Sequence, residues 1–140
     1  MRDVAIRADT IAAATLPKVV HVMLGTNNVG NNYLSVEDDL TRIVFAFWNK
    51  GAVVVLWPVP PFATGWAGPD GERRREIVNE SIKRVALTYG VFWDWWWPRQ
   101  LGSSSVIGDG VHFSAATQSS RLTRLNEWSA YLKSINVEIC

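Results

Sequence analysis

The sequence has a single cysteine, Cys140, at its last position. One thiol excludes an internal disulfide and a thiolate metal cluster. It leaves an inert exposed thiol or an intermolecular disulfide. Histidine is scarce as well, with only His21 and His112. The net charge is +1, so charge gives no case for nucleic acid or an anionic membrane as a partner. No apolar run is long enough to span a bilayer. Arg7 and Asp9 interrupt the apolar stretch near Met1, so the N-terminus lacks the shape of a signal peptide. The cytoplasm is the default expectation. Serine is missing altogether before Gly25, and no repeat or low-complexity segment is visible.

What is present suits one folded domain. The 140 residues are 48% hydrophobic and 19% charged. A chain of this size buries roughly two-thirds of its unfolded surface. Tryptophan is over-used: there are 8, four of them at Trp93, Trp95, Trp96 and Trp97. An indole combines a large apolar body with one donor and favours half-wet sites. A small domain cannot hide them all, so some should line a cleft or a subunit contact.

Helical and strand-like segments alternate. Val4 to Thr15 is Ala-rich, includes Ile6 and Ile11, and is stopped by Pro17. Val19 to Leu24 reads as a strand buried on both faces. A polar loop follows from Gly25. Ser35, with Asp38 three residues on, can cap a helix whose Val36, Leu40, Ile43, Val44 and Phe47 share one face. Ala52 to Trp57 is a second strand of buried type, and the Pro-rich stretch after it is loop. A third helix starts at Asp70 or Glu72 and ends at Gly90, with Ile77, Val78, Ile82, Val85 and Tyr89 inward. Val91 to Trp93 is a short third strand. The last helix, about Ala115 to Ser134, sets Leu122, Leu125, Trp128 and Leu132 at helical spacing.

This alternation implies a parallel sheet with right-handed crossovers and helices on both faces. Functional loops in such sheets lie beyond the C-terminal strand ends. Three loops leave those ends here: Gly25 to Tyr33, Pro58 to Gly71, and Asp94 to Phe113. They should meet on one rim.

Two of these loops carry chemistry. In "LGTNN" the Asn27 amide can donate to a developing oxyanion, or Asn27 and Asn28 can simply serve turn geometry and helix entry. In "GDGVHFS" the Asp109 carboxylate can turn back to the His112 ring, fix its tautomer and leave Nε2 as general base. The pair can equally be a turn Asp beside a core-edge His. No nearby second His or Cys completes a metal site, so no metal or cofactor is expected. His21, inside a strand, reads as a satisfied structural histidine. Arg73, Arg74 and Arg75, flanked by Glu72 and Glu76, read as a solvated helix face.

The order of these blocks is more specific than any one of them. "LGTNN" after a strand, a Pro-rich loop after the next, and "DGVHFS" before a terminal helix resemble the SGNH (GDSL-type) hydrolases from about residue 10 onward. "RREIVNESIKRVALTYGVFWDW" is similar to the helix and strand before that last block. The resemblance implies a truncated flavodoxin-like three-layer α/β domain of about three parallel strands, with residues 1–140 as a single incomplete domain. It implies Asn27 as oxyanion donor in a loop begun by Gly25, His112 as general base and Asp109 as its orienter. Asn28 stands where the family has Asp. The family's Gly-Asp-Ser block, which supplies the nucleophile, has no counterpart in these residues.

Three expectations follow. The first is an ester-hydrolase remnant, weak or inactive alone, unless a partner or neighbouring subunit completes its site for a small ester ligand. The second is a non-catalytic binding or assembly module. The third is an active esterase using Ser103, Ser104 or Ser105. Ser114 sits where a helix begins and reads as its cap. Whichever holds, a homo-oligomer is expected, formed through an unpaired edge of the Val19 to Leu24 strand, an exchanged N-terminal helix, or the Trp-rich surface.

Overall fold

The first helix ends where the sequence says it must. Pro17 cannot continue a helix, and Leu16 takes the left-handed conformation (φ 42°) while its N–H still reaches Ala12 O. The computed structural model describes residues 1–63, 65–101, 105–106 and 112–135, with the side chain of Arg99 set aside. In chain order the elements are α1 (Arg2–Thr15), β1 (Val19–Val22), α2 (Thr26–Gly30), α3 (Val36–Trp48), β2 (Val53–Leu56), α4 (Gly71–Tyr89), β3 (Phe92–Trp93) and α5 (Ala115–Ser134). The strands form a parallel sheet in the order β1-β2-β3. His21 pairs with Val55 and Val55 with Phe92.

Alternation along each strand divides the core in two. Val20, Val22, Val54, Leu56 and Trp93 join the cluster built by α1, α3 and α4. Val19, Met23, Val53, Val55, Trp57 and Phe92 join the opposite cluster, where Leu125, Trp128 and Leu132 of α5 pack. Helices therefore cover both faces, giving a three-layer α/β arrangement. Val36, Leu40, Ile43, Val44 and Phe47 of α3 are all buried, in line with their spacing.

Several local expectations are corrected. The strands are shorter than the apolar runs, because Met23 and Leu24, Ala52 and Trp57, and Val91 lie beyond the paired residues. The polar stretch after Gly25 is partly helical, as α2, and a 3-10 helix over Tyr33–Ser35 follows. Ser35 caps nothing: its hydroxyl donates to Asn32 O at 3.0 Å, and the expected capping box is not formed. On α1 the buried residues are Ala5, Ala8 and Ala12, while Ile6 is exposed. A face of methyl groups lets α1 lie close against α3. Leu122 is 61% exposed, so the inner face of α5 runs through Thr117, Leu125, Trp128 and Leu132 and leaves it out. Arg74 and Arg75 are not merely solvated. Arg74 reaches Gly30 O, and Arg75 pairs with Glu72 and donates to Val59 O. Among the described residues, no helix is long and apolar enough to cross a membrane.

Candidate functional site

Each strand-end loop is held by a different device. After β1 the chain turns at Gly25, whose φ of 125° is closed to ordinary side chains. A Cβ there would also stand 2.9 Å from Val59 Cγ2 and 3.2 Å from Val78 Cγ1. Glycine is thus required twice, by backbone and by space. It allows α2 to start at once and puts Asn27 in its first turn, on the surface. Asn28 points inward and is structural. Its Oδ1 accepts from the Met1 amine at 3.2 Å, and its Nδ2 donates to Asn32 O at 3.4 Å.

After β2, Trp57 N still donates to Val22 O, but the prolines end the ladder. The peptide groups of Val59 need other partners. Asn79 of α4 supplies them, accepting from Val59 N at 2.7 Å and donating to Val59 O at 3.0 Å. Arg75 adds a bond to the same carbonyl at 3.1 Å. Sequence reading gave no sign of this clamp, since an Asn and an Arg in a polar helix look like ordinary surface.

After β3, Asp94 N donates to Leu56 O, and its buried carboxylate gathers donors from two directions. Trp97 N bonds Oδ1 at 3.1 Å, starting a 3-10 helix over Trp97–Gln100. Arg124 Nε lies 2.7 Å from Oδ2, which also accepts from the Trp128 indole. Burial alone would lower the pKa of Arg124, but its bonds to Asp94 and Glu127 outweigh that and raise it. The Trp97 indole reaches Ser120 Oγ on α5 at 2.9 Å. Val106 and Phe113 then form an antiparallel bridge, and Ser114 caps α5 by accepting from Thr117 N, the role its position suggested. His112 immediately precedes that bridge residue and cap.

The three loops enclose one cavity of about 280 Å³. Met23, Leu24, Thr26 and Asn27 line it from the first loop, Trp57 to Pro60 from the second, and Trp97, His112 and Phe113 from the third. Gln118 and Arg121 of α5 complete the wall. Asn27 and His112 therefore share a hollow, and Gly25 is not among its lining residues. Asp109 lies outside the described residues, as do Ser103 and Ser104. Ser105 is buried and is not among the cavity's lining residues. His21 is the satisfied histidine expected, its Nδ1 accepting from the Trp57 indole at 3.0 Å. Its pKa is lowered by burial, with Asp94 pulling the other way. Among the described residues, no group of three or more His, Cys, Asp or Glu side chains is placed to hold a metal.

A parallel three-layer α/β protein with its cavity at the C-terminal strand ends is the class this architecture defines. Within that class, the chain belongs to the GDSL-like lipase/acylhydrolase family, whose model matches residues 2–119. Comparison with curated protein sequences finds no match. Among solved structures, the fold is similar to TesA, with a TM-score of 0.73 and 22% identity over 93% of this chain and 70% of that one. It is also similar to the psychrotrophic esterase EstA from Pseudoalteromonas sp., solved inhibited by monoethylphosphonate. There the TM-score is 0.70 with 17% identity, over 96% of this chain and 72% of that one.

Proposed function

We propose that this chain carries the oxyanion and general-base half of an ester-hydrolysing site and turns over little substrate alone. The observation that carries the reading is the shared cavity: Asn27 and His112, far apart in sequence, both line it. In this reading the His112 imidazole takes the proton of an attacking hydroxyl and returns it to the leaving alkoxide. The Asn27 amide donates to the oxyanion formed between those steps. Asp109, by family resemblance, holds the ring in the required tautomer. The nucleophile comes from polypeptide beyond these 140 residues or from a second chain, placed against the outer edge of β1.

The test is hydrolysis of a short p-nitrophenyl ester. The chain alone should give little turnover and no serine labelled by a fluorophosphonate. Joined to a Gly-Asp-Ser strand from a family member, it should gain activity. His112→Ala should then remove about a thousandfold or more of that gain, and Asn27→Ala about a hundredfold. Labelling of one serine within the chain, or activity indifferent to His112→Ala, sinks the reading.

A second reading, a non-catalytic homo-oligomeric module, is favoured by one feature. β1 is an outer strand, paired on one side only among the described residues, and Val19, His21 and Met23 beside it are only half-buried. An edge of this kind recruits another strand. Trp95 and Trp96, 49% and 45% exposed, add apolar surface elsewhere. Light scattering at micromolar concentration should show a dimer or larger species; a monodisperse monomer rejects this alternative.

A further inference from the structure

The proposed function leaves one wall of the cavity without a task. Arg121 lines it from α5, one helical turn beyond Gln118, which lines it too. No carboxylate lines the cavity among the described residues. The Nε of Arg121 is buried and has no hydrogen-bond partner. Its guanidinium carbon stands 5.8 Å from the centroid of the Phe113 ring, a contact that gives the Nε–H no acceptor.

Other arginines of this molecule behave differently. Arg124, one turn further along α5, is taken up by Asp94 and Glu127. Arg75 is held by Glu72, Arg84 by Glu37 and Arg2 by Asp39. Arg121 has no such ion pair among the described residues. A buried guanidinium donor without a partner is costly unless a ligand supplies one. The apolar remainder of the cavity, with Trp57, Trp97 and Phe113, suits a short hydrocarbon chain.

We propose that Arg121, assisted by Gln118, reads an anionic oxygen group on the ester this cavity accepts. The substrate class is a short-chain ester that carries a carboxylate or a phosphoryl group. The inference rests on the cavity being an ester site, as proposed above. It adds that the site discriminates by charge, through a fork of N–H donors matched to two oxygens of one anion.

The test compares three probes that share a six-carbon chain: hexanoate, hexyl phosphate and the neutral hexanamide. Binding is followed by NMR through the indole N–H signals of Trp57 and Trp97. The titrations are run at one pH, pH 8, for all three probes. At least one anion should bind about tenfold or more tightly than the amide. Which anion it is distinguishes carboxylate from phosphoryl. Arg121→Gln should bring that ratio close to one with amide binding unchanged, and Arg121→Lys should retain part of it, because charge remains without the fork.

Equal binding of acid and amide by the unaltered protein overturns the proposal, and this comparison needs no variant to fold. A preference that survives Arg121→Gln overturns it as well. The outcome is separable from that of the hydrolysis test. Ester turnover that depends on His112, without any anion preference, leaves the hydrolase reading standing and removes this one. An anion preference in a chain that gains no turnover when joined to the Gly-Asp-Ser strand leaves Arg121 as an anion-reading group and removes the hydrolase reading.

Discussion

The two faces of the sheet are built on different chemistry. On one, α1, α3 and α4 cover the strands mainly with Ala, Val, Leu and Ile, and buried Asp39, paired with Arg2, and Ser81 are its polar exceptions. On the other, α5 meets indoles whose donors must be satisfied. Trp57 bonds His21, Trp97 bonds Ser120, and Trp128 bonds Asp94. The first face gains its stability from area removed from water and from close packing. The second is a polar network threaded through an aromatic layer, and the cavity opens beside it. The contrast teaches that one layer holds the domain together while the other positions the wall carrying His112 and Arg121.

Asp94→Ala should break this comparison most visibly. It leaves Arg124 and two donors without their acceptor, at a cost of about 3–5 kcal/mol, read as a fall in the urea midpoint. It should also shift the Trp97 indole signal at the cavity wall. A loss below about 1 kcal/mol would mean that the network is decoration. Leu40→Ala on the opposite face should cost about 2–5 kcal/mol through lost burial and a void. The resonances of the cavity should be unmoved. If Leu40→Ala disturbed Trp57 and Trp97 as strongly as Asp94→Ala did, the division of labour between the faces would be wrong.

The smallest effect concerns pH. Burial lowers the pKa of His21 below its ordinary 6.5, more than Asp94 restores it. Protonating Nδ1 would also end its bond from Trp57. The unfolded chain therefore binds this proton more readily than the folded one. The stabilisation is complete above about pH 6.5 and shrinks as pH falls toward the lower folded-state value. Urea midpoints taken at neutral and mildly acidic pH should show a shallower acid loss in His21→Gln than in the unaltered chain. Identical slopes would remove His21 from the account.

Much of this architecture could be read before any coordinates. The strands are uninterrupted Val-rich runs, and α3 repeats its apolar residues with helical spacing, so both announce themselves locally. Ser114 stood at the head of a helix and caps it. The part that could not be read was of one kind. Asn79 and Arg75 look like surface residues of a polar helix, yet they satisfy the peptide of Val59. Asp94 looks like a loop carboxylate, yet it is buried and holds two elements together. A buried polar group is identified by its partner, and the partner lies elsewhere in the chain. Leu122 errs the other way: its spacing with Leu125, Trp128 and Leu132 suggested a shared inner face, but helix phase leaves it exposed while Leu132 is buried.

By itself, then, the amino-acid order settled the alternation of elements, the parallel sheet and the family motifs around Asn27 and His112. Periodicity and turn chemistry act over a few residues, and a few residues are enough to show them. Only the tertiary structure decided that those two side chains share a hollow, that Arg121 lines it with its Nε buried and without a hydrogen bond, and which helix covers which face. Those are relations between distant segments, fixed by packing against neighbours that no local pattern names.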